Sequence, residues 1–497
     1  MKQRICLITP PSPFLLDERV FMHIGVLKVA SSLESKGYEV DFLDLSGIDN
    51  YLSVVEDYCK TDATKVYGLT ASTPQIPFAV GIANKIKQLS PDAKLILGGP
   101  HVTLMNTASK RESLSGLDRS NRATSDVTKL KSLFDVLVCG DGELTIFEAL
   151  KIDKGIIDAD DRKSPYFLTN QQFSDLPLPA RHLVDVDSYR YSIEGKKSTS
   201  LIAQLGCPFK CSFCSGRNSP FLRKIRQRNS DSIIDEMRML YGEYGFTGFM
   251  FYDDELNVNK GLIELLNKIT DLQDEVGEEF RLRGFVKAEL FTDEQAAAMY
   301  RAGFRWLLTG FESGDERILK NIKKMAKRDD NTRAVEIAKR HNLKVKALMS
   351  IGHAGESFET VENTKKWLLE VQPEEFDCTI ITTYPGSPYF DDAVDENGVY
   401  VYTSDLTGDK LYQASIDYLS ELDYYKGDPE GGYVSYVWTD HMTPKELVSQ
   451  RDILEKEVRE KLGIKFNPAR PGVKYEHSMG MGNINIPGHI MRSSKLK

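Results

Sequence analysis

The sequence contains no apolar run of about 18 residues, the length that a membrane-spanning helix requires. Close to the start of the chain, a short apolar run ends before Pro10 and Pro11, so neither a signal peptide nor an N-terminal anchor is expected. The sequence also has no internal repeat and no low-complexity tract. These absences predict a soluble, cytoplasmic protein without a membrane span.

An excess of positive charge is missing as well. The net charge is −9 and the isoelectric point is near 5.6, whereas a nucleic-acid-binding protein usually carries a basic surface. We therefore expect no nucleic acid among the partners. The chain has 497 residues, which exceeds what one hydrophobic core usually holds, so two or three domains are expected.

Cysteine is scarce, but three of the seven cysteines lie close together. Cys207, Cys211 and Cys214 are spaced C-x3-C-x2-C, and in a reducing compartment such clusters are more typical of metal ligands than of disulfides. A structural zinc site normally has four ligands, and no further cysteine or histidine lies at a plausible spacing. Three thiolates on a four-iron cluster would instead leave one iron open. The scattered cysteines, interpreted as ordinary thiols, are Cys6, Cys59, Cys139 and Cys378.

Residues 1–150 alternate short β-rich runs with amphipathic helical stretches, which predicts a doubly wound α/β domain of the Rossmann-like type. The predicted strands are 4–10, 38–45, 65–72, 93–100 and 134–143. Several of them end in small or glycine-rich loops, where such sheets bind ligands. No G-x-G-x-x-G motif follows the first strand, so a dinucleotide site is weakly supported. The polar stretch 105–130 is expected to be a surface insertion.

A second series of strands and helices begins at about residue 196, after a proline-containing connector, 151–195. The predicted strands of this series are 199–206, 248–254, 281–288, 305–313, 343–352 and 376–385. Six strand–helix units predict a partial (β/α)6 barrel over residues 196–395. Residues 396–497 are expected to form a mixed, largely helical region, and their sequence indicates no chemistry of its own.

The cysteine loop follows the first strand of this barrel, so it lies at the carboxyl ends of the strands, where barrels place their active sites. A C-x3-C-x2-C loop at this position resembles the signature of the radical S-adenosylmethionine enzymes. The resemblance implies that the three cysteines bind a 4Fe-4S cluster whose open iron chelates S-adenosylmethionine. It also implies that one electron, from an external donor such as flavodoxin or ferredoxin, cleaves S-adenosylmethionine to a 5'-deoxyadenosyl radical.

Further motifs resemble this family at later strand ends. "YDDE" (252–255) stands where many members have a Gly-Gly-Glu run, and "GFESG" (310–314), "GHAGES" (352–357) and "PGSP" (385–388) follow in the family's order. In the first of these, aspartates replace the glycines, so the resemblance leaves open which carboxylate acts. The residues that it assigns to S-adenosylmethionine are Phe213, at the adenine, and Asp254, Glu255, Glu312, Ser313 and Gly352.

The N-terminal domain has a resemblance of its own. "GGPH" (98–101) and "GDGE" (140–143) are similar to motifs of the cobalamin-binding domain fused to one branch of this family. The D-x-H-x-x-G motif of other cobalamin proteins is absent, which implies that no histidine binds cobalt, and His101 either contacts the cofactor or packs. The residues assigned to cobalamin are Pro10, Pro11, Ser72, Thr73, Gly98, Gly99, His101, Gly140, Gly142 and Glu143.

These resemblances imply an enzyme that methylates an unactivated carbon of a small-molecule substrate, such as a lipid, a sugar or a natural-product intermediate. Cobalamin would donate the methyl group and the deoxyadenosyl radical would activate the substrate. A radical rearrangement or cyclisation without methyl transfer is the second reading, and a non-catalytic, cofactor-binding sensor is the third. No residue of the sequence decides between the two enzyme readings.

Overall fold

The computed structural model describes residues 3–15, 18–61, 64–115, 121–425 and 432–464. Within these ranges, no helix has both the length and the hydropathy that a membrane span requires. The described chain contains two parallel sheets, one in each half, and a small antiparallel sheet near the C-terminal end.

The first sheet has six parallel strands in the order β2-β1-β3-β4-β5-β6. Their bounds are β1 (Arg4–Thr9), β2 (Glu39–Asp44), β3 (Val66–Thr70), β4 (Lys94–Gly98), β5 (Val136–Cys139) and β6 (Gly155–Asp158). The doubly wound α/β prediction is confirmed, and each of the five predicted strands is present. Strand β6 was not predicted, because it is a four-residue edge strand that begins with glycine inside the expected connector.

Helices cover both faces of this sheet, and two of them replace the expected surface insertion. The helices are α1 (Ile24–Ser35), α2 (Tyr51–Thr61), α3 (Ile76–Leu89), α4 (Pro100–Ser115), α5 (Arg122–Leu133), α6 (Gly142–Ala149) and α7 (Asn170–Asp175). The prediction for 105–130 is therefore wrong where it is described, since residues 105–115 and 122–130 are helical. Met105 and Leu130 are fully buried in the core beneath these helices, although polar residues dominate their sequence.

The second sheet curls into the predicted partial barrel of six parallel strands, with the antiparallel strand β7 at its edge. The strands of this half are β7 (Ser192–Ile193), β8 (Lys196–Leu201), β9 (Gln204–Leu205), β10 (Arg226–Gln227), β11 (Gly248–Phe251), β12 (Arg281–Phe285), β13 (Phe304–Glu312), β14 (Lys344–Ile351) and β15 (Glu375–Ile380). Alternate residues of a strand point to opposite faces. Accordingly, Phe249 and Phe251 pack beneath the outer helices, and Met250 packs in a separate cluster with Leu308.

Helices connect the barrel strands. They are α8 (Pro220–Arg223), α9 (Ser230–Tyr244), α10 (Leu262–Val276), α11 (Asp293–Arg301), α12 (Glu316–Asn321), α13 (Arg328–Arg340), α14 (Phe358–Val371) and α15 (Pro388–Asp391). The region after residue 395 is mixed, as expected, and it pairs a small antiparallel sheet with one long helix. Its elements are β16 (Val394–Glu396), β17 (Val399–Thr403), β18 (Lys410–Gln413), β19 (Val437–Trp438) and α16 (Pro444–Leu462).

Candidate functional site

The cysteine loop leaves the barrel through a turn that only glycine can form. Gly206 has a φ of +94°, and a Cβ at this position would lie 2.1 Å from the carbonyl oxygen of Lys224. The Cys207 N–H donates to the Leu222 carbonyl at 2.9 Å, and the Ser212 N–H donates to the Ile322 carbonyl at 2.8 Å. These backbone hydrogen bonds fix the loop to the neighbouring chain and hold the three thiols in place.

The "PGSP" turn after the sixth barrel strand packs directly on this loop. A Cβ on Gly386 would lie 2.5 Å from the Ser215 carbonyl oxygen, so only glycine permits this approach. The Asn218 N–H donates to the Gly386 carbonyl at 3.1 Å, and the Tyr389 N–H donates to the Ser212 carbonyl at 3.1 Å. The cysteine loop and the "PGSP" turn, which lie some 170 residues apart in the sequence, therefore pack against each other.

All three thiols of the loop are free and form no disulfide. Burial raises the pKa of Cys207 and of Cys214 to about 12, although the Cys214 side chain keeps accessible surface. Burial also raises the pKa of Cys211, and the nearby Lys324 and Lys287 ammonium groups oppose this shift. The free thiols are therefore neutral, and a metal that binds them has to displace their protons.

Within the described ranges, no three His, Cys, Asp or Glu side chains converge on a single point as ligands of one metal ion would. The thiolates of a 4Fe-4S cluster each bind a different iron and need no common point. Three free cysteines on one rigid loop, next to buried lysines that favour negative charge, have the donor chemistry of a cluster site.

Two aspartates that follow β11 accept hydrogen bonds from the backbone that leads into the cysteine loop. Asp253 accepts hydrogen bonds from the N–H groups of Ala203 and Gln204 at 2.8 and 3.0 Å. Asp254 accepts from the Gly206 N–H at 2.8 Å, directly before the first cysteine. This pattern assigns Asp253 to the loop's support, a role that the sequence did not distinguish from its neighbours.

Glu255 differs from these two aspartates because its side chain has no hydrogen-bond partner among the described residues. Burial raises the pKa of the Glu255 carboxyl group to about 7, although the positive charges of Lys324 and Lys287 act to lower it. The carboxyl group is half-buried beside the cysteine loop. An amino group of a bound ligand would give it the partner that the protein does not supply.

Glu312 stands at the end of β13 in a strained conformation. Its φ is +67°, which L side chains rarely adopt, and the strand pairing with β14 shifts register at this point. One carboxylate oxygen accepts from the Lys324 ammonium at 3.2 Å and the other accepts from the Ser350 hydroxyl at 2.7 Å. Burial alone would lower the pKa of Lys324, but the surrounding negative groups, with Glu312 first and then Cys211 and Glu255, together outweigh burial and raise that pKa.

This network continues to a buried histidine next to the loop. The Ser350 hydroxyl lies 2.8 Å from His353 Nε2, and the other ring nitrogen lies 3.4 Å from the Tyr389 hydroxyl. Burial lowers the pKa of His353 to about 4, so the ring is neutral. Phe213 stacks at a tilt on this ring, with 5.3 Å between the centroids. Phe213 also packs on the apolar face of α12, so the structure places it beside the cysteines and partly among core residues.

Two residues assigned to S-adenosylmethionine have their polar groups occupied inside the protein. The Ser313 hydroxyl lies 3.0 Å from the Thr364 hydroxyl and accepts from the Asp315 N–H at 3.1 Å. The Gly352 N–H donates to Glu356 Oε2 at 3.1 Å. Through these groups, both residues hold the ends of β13 and β14 in place.

A cavity of about 740 Å³ lies between the two parallel sheets, within the range of about 300–1,000 Å³ that is typical of ligand pockets. It opens at the carboxyl ends of β1, β3, β4 and β5, and barrel residues close its other side. The residues predicted from the sequence that line it are Ser72, Gly98, Gly99, Gly140, Gly142, Glu143 and Asp254. Those predicted to bind cobalamin that are not among its lining residues are Pro10, Pro11, Thr73 and His101.

His101 is fully buried and packs away from this cavity. Its Nδ1 lies 3.2 Å from the Thr73 hydroxyl, and its ring meets the edge of Tyr418 at 5.9 Å. Burial lowers its pKa to about 3. These contacts favour the packing alternative for His101, which is not among the lining residues of the cavity.

Two of the cavity glycines are required by the backbone around them. A Cβ on Gly99 would lie 2.6 Å from the Thr70 hydroxyl oxygen, and one on Gly140 would lie 2.7 Å from the Ala159 carbonyl carbon. Both have positive φ. Gly25 is different, because a Cβ built there meets nothing within 4 Å and the residue lines the cavity.

Sequence analysis missed the segment that leads into α1, although it contributes much of the cavity wall. Its lining residues there are Val20, Phe21, Met22, His23, Ile24, Gly25, Val26 and Lys28. Lys28 is buried, lies 3.5 Å from the Glu143 carboxylate and sits 4.2 Å from the centre of the Phe173 ring. A lone lysine on the apolar face of α1 was the sequence signal that could have identified this wall.

Buried carboxylates join the cavity wall to the residues that follow the cysteine loop. Asp160 accepts from the Ser219 hydroxyl and from the Phe221 N–H, both at 2.7 Å. Asp141, at the end of β5, forms an ion pair with Arg226 of β10, and both side chains are at most 3% exposed. The two sheets are therefore held together next to the cavity.

Removing one member of the Asp141–Arg226 pair leaves an unpaired buried charge. Asp141→Leu is expected to lower the free energy of unfolding by about 3–5 kcal/mol, whereas Asp141→Leu with Arg226→Met is expected to recover most of this loss. Urea denaturation followed by circular dichroism measures both. Glu275→Ala, which breaks an exposed ion pair with Arg238, is the control and should cost less than about 1 kcal/mol. Equal losses in the single and double variants would contradict a buried pair.

Comparison with known proteins gives two family matches. The B12 binding domain family matches residues 19–119, and the Radical SAM superfamily matches residues 201–368. An uncharacterized methyltransferase of Pyrococcus horikoshii is 26% identical over 91% of this chain and 95% of its own length. The anaerobic magnesium-protoporphyrin IX monomethyl ester cyclase of Rubrivivax gelatinosus is 25% identical over 76% of this chain and 67% of its own.

Among solved structures, the radical S-adenosylmethionine methyltransferase TsrM of Kitasatospora setae, solved with cobalamin and a [4Fe-4S] cluster bound, has a similar fold. The TM-score is 0.60 and the sequence identity is 17%, over 94% of this chain and 92% of that one. The similarity therefore extends over both parallel sheets in the same order along the chain.

Proposed function

We propose, because the chain belongs to the cobalamin-dependent radical S-adenosylmethionine enzymes, that it methylates an unactivated carbon of a small-molecule substrate. When bound, the 4Fe-4S cluster supplies the electron that cleaves S-adenosylmethionine, and cobalamin carries the methyl group. The products expected from each methylation are S-adenosylhomocysteine and 5'-deoxyadenosine.

The observation that carries this proposal is the shared wall of the two candidate sites. Asp254 lines the large cavity and also accepts from the N–H of Gly206, which directly precedes the first cysteine. The same cavity is lined by Leu205, which directly precedes Gly206, and by Leu222, whose carbonyl accepts from the Cys207 N–H. Methyl transfer and radical formation on one substrate need neighbouring sites, and this arrangement provides them.

The residues of this chain have separate tasks in the proposal. Cys207, Cys211 and Cys214 bind the cluster, and Glu255 offers a carboxyl group without a protein partner to the amino group of S-adenosylmethionine. Glu312 is held by Lys324 and Ser350 beside the same loop, so it is placed to accept hydrogen bonds from the ligand's hydroxyl groups.

Phe213 and the C-terminal region complete the proposed assignments. The Phe213 ring is half-buried beside the cysteines and is proposed to pack on the adenine. Tyr425, from the region after residue 395, lines the cavity and contacts Phe14, with 4.9 Å between the ring centroids. This contact supports the proposal that the C-terminal region takes part in substrate binding. The electron is proposed to come from an external donor such as flavodoxin or ferredoxin.

The products of one reaction test the function. Reconstituted enzyme is incubated with S-adenosylmethionine, cobalamin, a reductant and candidate substrates, and mass spectrometry measures both products. Only methyl transfer forms S-adenosylhomocysteine together with 5'-deoxyadenosine. A cyclase, which the relative from Rubrivivax gelatinosus makes the second candidate, would form 5'-deoxyadenosine alone, and a sensor would form neither. Either of these last two results would overturn the methyltransferase proposal.

Glu312→Gln is expected to weaken binding of S-adenosylmethionine by about 1–3 kcal/mol, or roughly 5- to 150-fold in Kd, since a ligand hydroxyl loses its charged acceptor. Isothermal titration calorimetry on the cluster-loaded protein measures this change. Glu359→Gln, which alters an exposed carboxylate in the first turn of α14, is the matched control. Unchanged affinity in Glu312→Gln, with its iron content intact, would remove Glu312 from the ligand site.

A further inference from the structure

His23 is placed at the cavity by the start of a helix. It is the N-cap residue of α1, where its side chain makes no capping hydrogen bond, and it lines the cavity. Asp44, at the carboxyl end of β2, acts on the ring through its charge. The imidazole therefore lies at the edge of the first sheet where ligands bind in doubly wound folds.

The ring of His23 is not used by the protein itself. Neither ring nitrogen of this half-buried residue has a hydrogen-bond partner among the described residues, whereas the two fully buried histidines, His101 and His353, both bond to hydroxyl groups. Burial lowers the pKa of His23, so the ring is neutral near pH 7. A neutral imidazole with an unused nitrogen is a common metal ligand.

Three other lining side chains that could bind a metal, the carboxylates of Glu18, Asp141 and Glu143, already have partners within the protein. Glu18 accepts from the N–H groups of Ser12 and Gly47 at 2.6 and 2.8 Å. Asp141 pairs with Arg226, and Glu143 pairs with Lys28. Among these lining groups, His23 is the one whose side chain has no hydrogen-bond partner in the described residues.

We propose that a ring nitrogen of His23 would be a ligand to the cobalt of the cobalamin that this cavity is proposed to bind. The proposal rests on the proposed function for the presence of cobalamin. It departs from the expectation that no histidine binds cobalt, because that expectation followed from the missing D-x-H-x-x-G motif, and His23 reaches the cavity outside any such motif.

Electron paramagnetic resonance of the Co(II) state tests this ligand directly. A bound nitrogen-14 splits each cobalt line into three, whereas nitrogen-15 splits it into two. Full-length protein with nitrogen-15 histidine is loaded with unlabelled cobalamin, and absorbance after gel filtration measures the bound cofactor. Two-line splitting is expected. Three-line splitting would show that the nitrogen belongs to the cofactor's own base, and unsplit lines would show no nitrogen ligand, and either result overturns the proposal.

Variants separate His23 from the rest of the chain. His23→Ala breaks no hydrogen bond among the described residues, so it is expected to bind cobalamin but to lose the nitrogen splitting. His101→Ala, which alters a buried histidine away from the cavity, is expected to keep the splitting. Retained splitting in His23→Ala would overturn the ligand assignment alone. Absence of any bound cobalamin in the parent protein would instead overturn the cobalamin part of the proposed function, and this inference with it.

Discussion

Simultaneous replacement of Cys207, Cys211 and Cys214 by alanine is expected to reduce bound iron to background and to abolish cleavage of S-adenosylmethionine. The three thiols are the cysteines of the described chain that share one loop, and they are free. Removal of the thiols leaves no sulfur ligand on that loop, so a cluster has no anchor. Iron and sulfide assays after anaerobic reconstitution, together with the visible absorption of the cluster, measure the loss.

The fold is expected to survive this replacement. The loop is held by backbone hydrogen bonds at Cys207 and Ser212, and alanine preserves both. Far-ultraviolet circular dichroism should therefore match the parent. Cys59→Ala, which changes a half-buried cysteine of α2, is the control and should retain the iron. Iron at the parent level in the triple variant would contradict the cluster assignment.

The fold was largely predictable because its strands are buried on both faces. Strands such as β4 and β14 read as short apolar runs between glycine or polar turns, and that pattern survives without an alignment. The helices over residues 105–130 were not predictable in the same way. Their buried side includes small residues such as Ala108 and Ala123, which contribute little to an apolar period, and the charged residues around them resemble a surface loop.

The cysteine site was predictable from spacing, whereas the wall of the cavity was not. Three thiols in one loop are a local signal, and the turns that pack on them follow it in a fixed order. The cavity wall depends on tertiary contacts, because His23 and Lys28 reach it only when α1 packs against α6 and the first two strands. Gly99 and Gly140 line the cavity as expected, but their positive φ and crowded backbone neighbours also require glycine there without any ligand.

The contrast between these glycines defines the clearest test of the cavity. A side chain at Gly99 would collide with Thr70 and Ala71, so a variant there would disturb the sheet before it affected a ligand. Gly25 faces the open cavity, and a helix prefers other residues to glycine by about 0.5–1 kcal/mol. A bulky residue at Gly25 therefore fills ligand space while the protein keeps its fold.

Gly25→Phe is expected to prevent cobalamin binding and methyl transfer, and to leave cleavage of S-adenosylmethionine measurable, because the three cysteines are not among the residues that line the cavity. Gly242→Phe makes the same change on α9, at an exposed helical position where a Cβ also meets nothing within 4 Å. Cobalamin retention after gel filtration and the ratio of S-adenosylhomocysteine to 5'-deoxyadenosine are measured for both. If Gly25→Phe binds cobalamin and methylates as well as Gly242→Phe, the corrin lies elsewhere and the division of work between the two sheets has to be redrawn. Loss of both products in Gly25→Phe would show instead that the two sites act as one unit, since a ring confined to the cavity would then control the chemistry at the cysteines.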